Sequence, residues 1–167
     1  ILSGDIDGAR KSLEWYKKIW GDDFYLELQR HEVKDPNQRA NRETFPLQKK
    51  VNRVLIEFSR EYNIKLICTN DCHFIDKETA EAHDHLLCIG TGRDLDDPNR
   101  MLYSKQEWFK TEQEMREIFS DIPEALENTN EILDKVEVYD LESDPIMPFF
   151  PIPAEFGTED QWRQKTT

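Results

Sequence analysis

Asp71 and His73 stand two residues apart where the apolar run Ile64, Leu66, Ile67 and Cys68 ends, in the stretch TNDCHF (69–74). Residues two apart in an extended strand point to the same side, so this spacing would aim a carboxylate and an imidazole at one point. A further candidate, His31, closes the run FYLELQRH (24–31). Neutral imidazoles and ionised carboxylates suit zinc, manganese or iron, and a group of such ions can position water and stabilise a phosphoryl transition state. The same residues have plainer readings. Asp71 could cap the next turn, His73 could be a half-buried packing residue, and His31 could be an ordinary loop histidine. Spacing leaves both readings open.

The elements that must position these residues follow from periodicity. Ile6, Ala9, Leu13, Tyr16 and Trp20 recur at helical spacing, with Gly21 as the stop. The stretch 22–31 alternates, with Phe24, Leu26 and Leu28 on one side and Tyr25, Glu27, Gln29 and His31 on the other. This predicts a strand in which Glu27 and Gln29 share the side of His31 and are candidates to orient it. Residues 32–43 read as a polar loop, and Pro46 to Tyr62 as an amphipathic helix closed by Asn63. A second strand over 64–73 completes a βαβ unit with a parallel pair. Ligands in such units gather beyond the C-terminal strand ends, which would bring His31, Asp71 and His73 together. The remainder is more helical: a helix over 77–89 ending at Gly90, a turn-rich connection over 91–104, a capping box at Thr111 and Glu114, and a helix opened by Asp121 and Pro123. Past Val138 the chain is dense in Pro and poor in periodicity, and reads as a linker.

Composition narrows the function. The formal charge is −13, from 35 acidic and 22 basic residues, a sign that repels phosphate backbones. Contact with DNA would have to run through metal ions or neighbouring domains. No apolar run is long enough to span a bilayer, no signal-peptide pattern is present, and Cys68, Cys72 and Cys88 do not form a disulfide framework. A cytoplasmic setting without membrane partners is expected. The start at Ile1, without Met, is expected of a segment of something longer. In an extended strand Cys68 and Cys72 would lie about 13 Å apart at ~3.3 Å per residue, too far to share one ion, and read as packing thiols. His83 and His85 face different ways on a helix, with a packing or hydrogen-bonding role expected for His83. The acidic runs read as a solvated face, and Trp15, Trp20 and Trp108 as core or interface.

Six stretches carry a resemblance: FYLELQRH (24–31), VNRVLIEFSREYNIKLICTNDCHF (51–74), AEAHDHLLCIGTG (80–92), LDDPNRMLYS (95–104), EWFKTEQEM (107–115) and IPEALENTNEI (122–132). In order and spacing they resemble the alpha subunits of bacterial replicative DNA polymerase III, DnaE type, in the later part of the N-terminal PHP domain. The resemblance implies an α/β fold. The implied architecture is a partial PHP-type distorted (β/α)7 barrel over 1–76, followed by a mostly helical remainder over 77–138 and a Pro-rich linker toward the polymerase palm over 139–167. It also implies up to three ions, zinc, manganese or iron, held by nine ligands. His31 matches the third motif, and Asp71 with His73 the fourth. By similarity Asp71 would serve the first ion, His31 the second and His73 the third, with the other ligands N-terminal to Ile1. Some family members carry a basic residue in the fourth motif and have lost the metals. The retained His73 implies the metal-competent class, which in some relatives acts as a metal-dependent 3'-5' exonuclease. The alternative is a vestigial scaffold that stabilises the polymerase and docks a separate proofreading exonuclease subunit. A free-standing phosphatase has no reason to carry AHDHLLCIGTG and LDDPNR. The parent reaction is Mg-dependent, template-directed nucleotide addition by palm carboxylates beyond residue 167. DNA, dNTPs and a sliding clamp are therefore expected partners of the parent chain, and the segment alone is expected to be inactive. An interrupted barrel is expected to leave strand edges and apolar faces exposed.

Overall fold

The structure, a computed structural model, describes residues 1–148 and 151–166. The chain divides into two units, Ile1–Val136 and Glu137–Thr167.

In the first unit, helix α1 (Ile6–Trp20) opens on Asp5, whose carboxylate accepts the Gly8 N–H at 2.8 Å, and closes on Gly21 at φ 56°. Strand β1 (Leu26–Gln29), helix α2 (Phe45–Tyr62) and strand β2 (Leu66–Thr69) form the expected βαβ unit. The strands pair in parallel, Leu26 opposite Leu66 and Gln29 opposite Thr69. Alternation puts Leu26, Leu28, Leu66 and Cys68 on one buried face, in a cluster with Leu13, Phe58, Ile64, Phe119, Ile122 and Ala125. Burial there pushes the Cys68 thiol up to about 12, as befits a packing residue.

Helices α3 (Ala80–Thr91), α4 (Glu112–Ile118) and α5 (Pro123–Lys135) follow, with α2 packed on β1 and α5 on β2. Two side-chain amides serve strand carbonyls: Asn52 Nδ2 donates to Gln29 O, and Asn128 Nδ2 to Leu66 O, each at 2.8 Å.

Both strands are shorter than alternation predicts. Before β1, Gly21–Asp23 forms a 3-10 turn and Phe24 stacks on Tyr16 with ring centroids 5.6 Å apart. After β2, Asp71 takes a left-handed backbone, φ 50°, which no strand continues through. Helix α3 stops at Gly92 rather than Gly90. Gly92 is the left-handed residue, φ 64°, and its N–H reaches the Cys88 and Ile89 carbonyls. The predicted capping box opens α4, with Glu114 Oε2 accepting the Thr111 N–H at 2.8 Å and Thr111 Oγ1 accepting the Glu114 N–H at 3.3 Å. Pro123 begins α5 as expected, but Asp121 is not its cap. Its carboxylate takes both terminal nitrogens of Arg30, whose guanidinium lies 4.9 Å above the Phe119 ring. That pairing holds the Asp121 carboxyl below the usual carboxylate range. Trp15 and Trp20, expected in the core or at an interface, are 58% and 59% exposed.

In the second unit, the stretch read as a linker carries a turn at Ala154–Phe156 and a helix, α6 (Glu159–Thr166). Periodicity missed α6 because Trp162 is its one apolar residue. Residues 149, 150 and 167 of that stretch lie outside the described residues. Among the described residues, no helix is long and apolar enough to cross a membrane.

Candidate metal centre

Beyond the C-terminal end of β2 the chain runs through Asn70, Asp71, Cys72 and His73. Strand alternation has stopped there, yet the left-handed turn at Asp71 still brings its Oδ1 to 3.3 Å from His73 Nε2. The pair is open to solvent, the side chains 51% and 32% exposed. Packing orients the His73 ring: Tyr103 lies 4.3 Å and His83 5.7 Å away between centroids, and the His73 N–H donates to Glu107 O at 2.7 Å. His83 lies 5.2 Å from both Phe74 and Tyr103, which is a packing role. His85 turns away, its Nδ1 2.7 Å from Glu81 O. Cys72 is exposed and its thiol faces Trp108 O at 3.5 Å.

His31 is the opposite case, 3% exposed and held on every side. Its Nε2 lies 3.2 Å from Asn70 O. Around Nδ1 stand Gln48 Nε2 at 3.3 Å, Ser104 Oγ at 3.2 Å and Glu107 Oε1 at 3.4 Å. Gln48 Oε1 also accepts the His31 N–H at 2.8 Å. Burial holds the imidazole below its ordinary pKa, against the pull of Glu107, which favours its neutral form. Glu27 and Gln29, the sequence candidates for orienting it, are engaged elsewhere. The Thr69 hydroxyl donates to Glu27, and Gln29 Nε2 lies 3.5 Å from Glu27 Oε1.

Beside Gln48 and Asn70, the residues that surround His31 are Ser104 and Glu107 of the segment 104–110. Glu107, 2% exposed, accepts the Ser104 N–H at 3.0 Å, the Ser104 hydroxyl at 2.6 Å and the Gln106 N–H at 2.8 Å. Ser104 and Glu107 have the S-x-x-E spacing of a capping box, without a helix behind it, and that spacing was the available signal. Asn70 clamps the segment: Nδ2 donates to Gln106 O at 2.8 Å and to Trp108 O at 2.7 Å, and Oδ1 accepts from Lys110 Nζ at 2.9 Å. The Lys110 ammonium also donates to Gln106 O and sits 3.5 Å over the Trp108 ring.

Burial pushes Lys110 down to about 8 from its ordinary 10.5, although Glu107 pulls the other way. Between those two values the unfolded chain holds a proton that the folded chain has released, so stability rises with pH across that window. Denaturant melts from pH 7 to pH 10.5 are expected to show the rise in wild type relative to Lys110→Met. Parallel profiles for the two proteins would reject it.

No family model matches the chain, but individual proteins do. The chain is 39% identical over 169 residues to the DNA polymerase III subunit alpha of Borreliella burgdorferi, a match covering all of this chain and 14% of that protein. Against the subunit of Campylobacter jejuni the identity is 38%, over 92% of this chain and 12% of the relative. Against that of Thermus aquaticus it is 36%, over 100% and 13%. Along nearly its whole length the chain is similar to one segment of the DNA polymerase III alpha subunits. It spans about one seventh of the first of these relatives.

The donor set can be tested for a metal against this geometry. Among the described residues, no three His, Cys, Asp or Glu side chains converge on one point. Asp71 and His73 fit as two donors, an exposed carboxylate beside an imidazole nitrogen. His31 fits in charge state, since a ligand imidazole must be neutral. Its Nε2 would have to leave the Asn70 carbonyl to serve.

Proposed function

We propose that the chain forms part of a PHP-type metal site within a replicative DNA polymerase alpha subunit, the parent chain carrying out DNA-directed DNA synthesis. The observation that carries this reading is the convergence of Asp71 Oδ1 and His73 Nε2 at 3.3 Å just beyond a parallel strand end. Asp71 supplies a carboxylate, His73 a ring packed against Tyr103 and His83, and His31 a buried imidazole whose Nε2 lies 3.2 Å from the carbonyl of Asn70, the residue before Asp71. Transition-metal ions held there would supply Lewis acidity and an activated water, the requirements of a 3'-5' exonuclease or phosphoesterase. The remaining ligands belong to a part of the polymerase outside this chain, as do the palm and its Mg. A net charge of −13 supports an indirect hold on DNA through bound cations and neighbouring domains.

A second reading, a scaffold that stabilises the polymerase and docks a proofreading exonuclease subunit, is favoured by one observation. Both ring nitrogens of His31 face protein atoms within 3.5 Å. Elemental analysis of the intact polymerase chain, beside Asp71→Asn and His73→Ala, separates the two. Two or three tightly held transition-metal ions, reduced by both substitutions, are expected from the metal site. A metal-free intact chain would reject that site in favour of the scaffold.

A further inference from the structure

We propose that Glu107, held by Ser104, is the positioning partner of His31, an inference that rests on the metal-site reading above. The His31 ring lies between two acceptors: the Asn70 carbonyl, 3.2 Å from Nε2, and the Glu107 carboxylate, 3.4 Å from Nδ1. A neutral imidazole carries a single N–H and can serve only one of them. With the proton on Nε2, the Asn70 carbonyl is served, Nδ1 accepts from Gln48 Nε2 at 3.3 Å, and the Ser104 hydroxyl turns to Glu107 at 2.6 Å. With the proton on Nδ1, the ring donates to Ser104 Oγ at 3.2 Å, whose own hydroxyl donates on to Glu107 at 2.6 Å, and the Nε2 lone pair is presented at the Asn70 turn, the turn from which Asp71 follows. A ligand histidine needs the second arrangement, and an acceptor at the far nitrogen, here the Ser104 hydroxyl backed by the Glu107 carboxylate, is what selects it.

The surroundings of Glu107 suit that task. At 2% exposure it has little water to compete with the ring, and two backbone N–H groups and a hydroxyl fix its carboxylate before any ring proton arrives. Closing the turn at 104–107 does not by itself require the carboxylate to face an imidazole 76 residues earlier in the chain. Ser104 Oγ, 3.2 Å from Nδ1, stands where it can take either side of the exchange. The buried Ser104-Glu107 pair is therefore assigned to selecting the tautomer of His31.

The test uses the intact polymerase chain as wild type, Glu107→Gln, Glu107→Asp, His31→Ala and Asp71→Asn. Each is loaded with Co(II), followed by its ligand-field absorption, and challenged with a chelator. Glu107→Gln can still accept the Ser104 N–H. It is expected to weaken Co(II) retention by about 10- to 100-fold and to shift the absorption band, with partial recovery in Glu107→Asp. Wild-type retention and spectrum in Glu107→Gln, while His31→Ala and Asp71→Asn each lose Co(II), would overturn the positioning role and leave the metal site standing. Equal Co(II) content in wild type, His31→Ala and Asp71→Asn would overturn the metal site itself, and this assignment with it.

Discussion

Asp84→Ala is expected to destabilise the first unit by about 1.5–3 kcal/mol, the range for hydrogen bonds to charged groups. Asp84 lies on α3, and its two carboxylate oxygens accept from Arg100 Nη1 and Nη2, each at 2.9 Å. The two side chains are only 9% and 11% exposed, so water screens them little. Arg100 Nε donates in addition to Leu95 O at 2.9 Å, so one guanidinium ties α3 to the turn-rich connection that leads to Tyr103 and Ser104. Truncating Asp84 leaves the part-buried Arg100 guanidinium without its two carboxylate acceptors, and the loss of both charge-assisted bonds sets the magnitude. Arg100 holds the Asp84 carboxyl below its ordinary 3.8. The pair's contribution is therefore complete above that value and fades as pH falls through the lower, folded one. Urea melts at pH 7 read the loss directly. A change under about 1 kcal/mol would show the pair to be screened like a surface bridge, and a combined Asp84→Leu, Arg100→Met change is expected to recover much of the stability.

That pair also shows what a sequence can and cannot reveal. AEAHDHLLCIGTG and LDDPNRMLYS (80–92 and 95–104) were recognisable as motifs, but their spacing gives no hint that Asp84 and Arg100 lock the two together. The βαβ unit was legible because its signals are local. The apolar stripe of α2 and the alternation of β1 need only neighbours three, four or two residues away. The same alternation overran the strands, since side-chain pattern continues through Arg30 and His31 while the backbone pairing has ended. Helix α3 offered two glycines two apart, and only the backbone conformation distinguishes Gly92 as the stop. The Asp71 and His73 pair was visible at a separation of two, although a left-handed turn and not a strand brings the two side chains together. The partners of His31 were not visible, because Ser104 lies 73 residues away and Gln48 seventeen. Side-chain contacts across such separations leave no periodic trace.

Asn70→Ala is expected to cost about 2–5 kcal/mol, because it leaves several buried groups without partners at about 1–3 kcal/mol each. Asn70 is 6% exposed, and its side chain serves the carbonyls of Gln106 and Trp108 and the Lys110 ammonium at once. A methyl group replaces none of these bonds. Asn70→Asp keeps an acceptor for Lys110 but sets a carboxylate oxygen against two carbonyl oxygens, so it is expected to be no milder than Ala despite its shape. The consequences reach both halves of the candidate site. The segment 104–110 provides the carbonyl that receives the His73 N–H and the carboxylate that faces His31, so loosening it frees both rings. Hydrogen exchange should detect this at the His73 amide, bonded to Glu107 O at 2.7 Å, and at the Phe109 amide, bonded to Phe74 O and Ile75 O at 3.1 Å each. At least a tenfold loss of protection, about 1.4 kcal/mol, is expected at both in Asn70→Ala. Wild-type protection at both would mean that the parallel bridge between Phe74 and Trp108 holds the segment without Asn70. Loss there, with the Leu28 amide in β1 still protected, would mean that Asn70 secures the site locally on a βαβ core that stands without it.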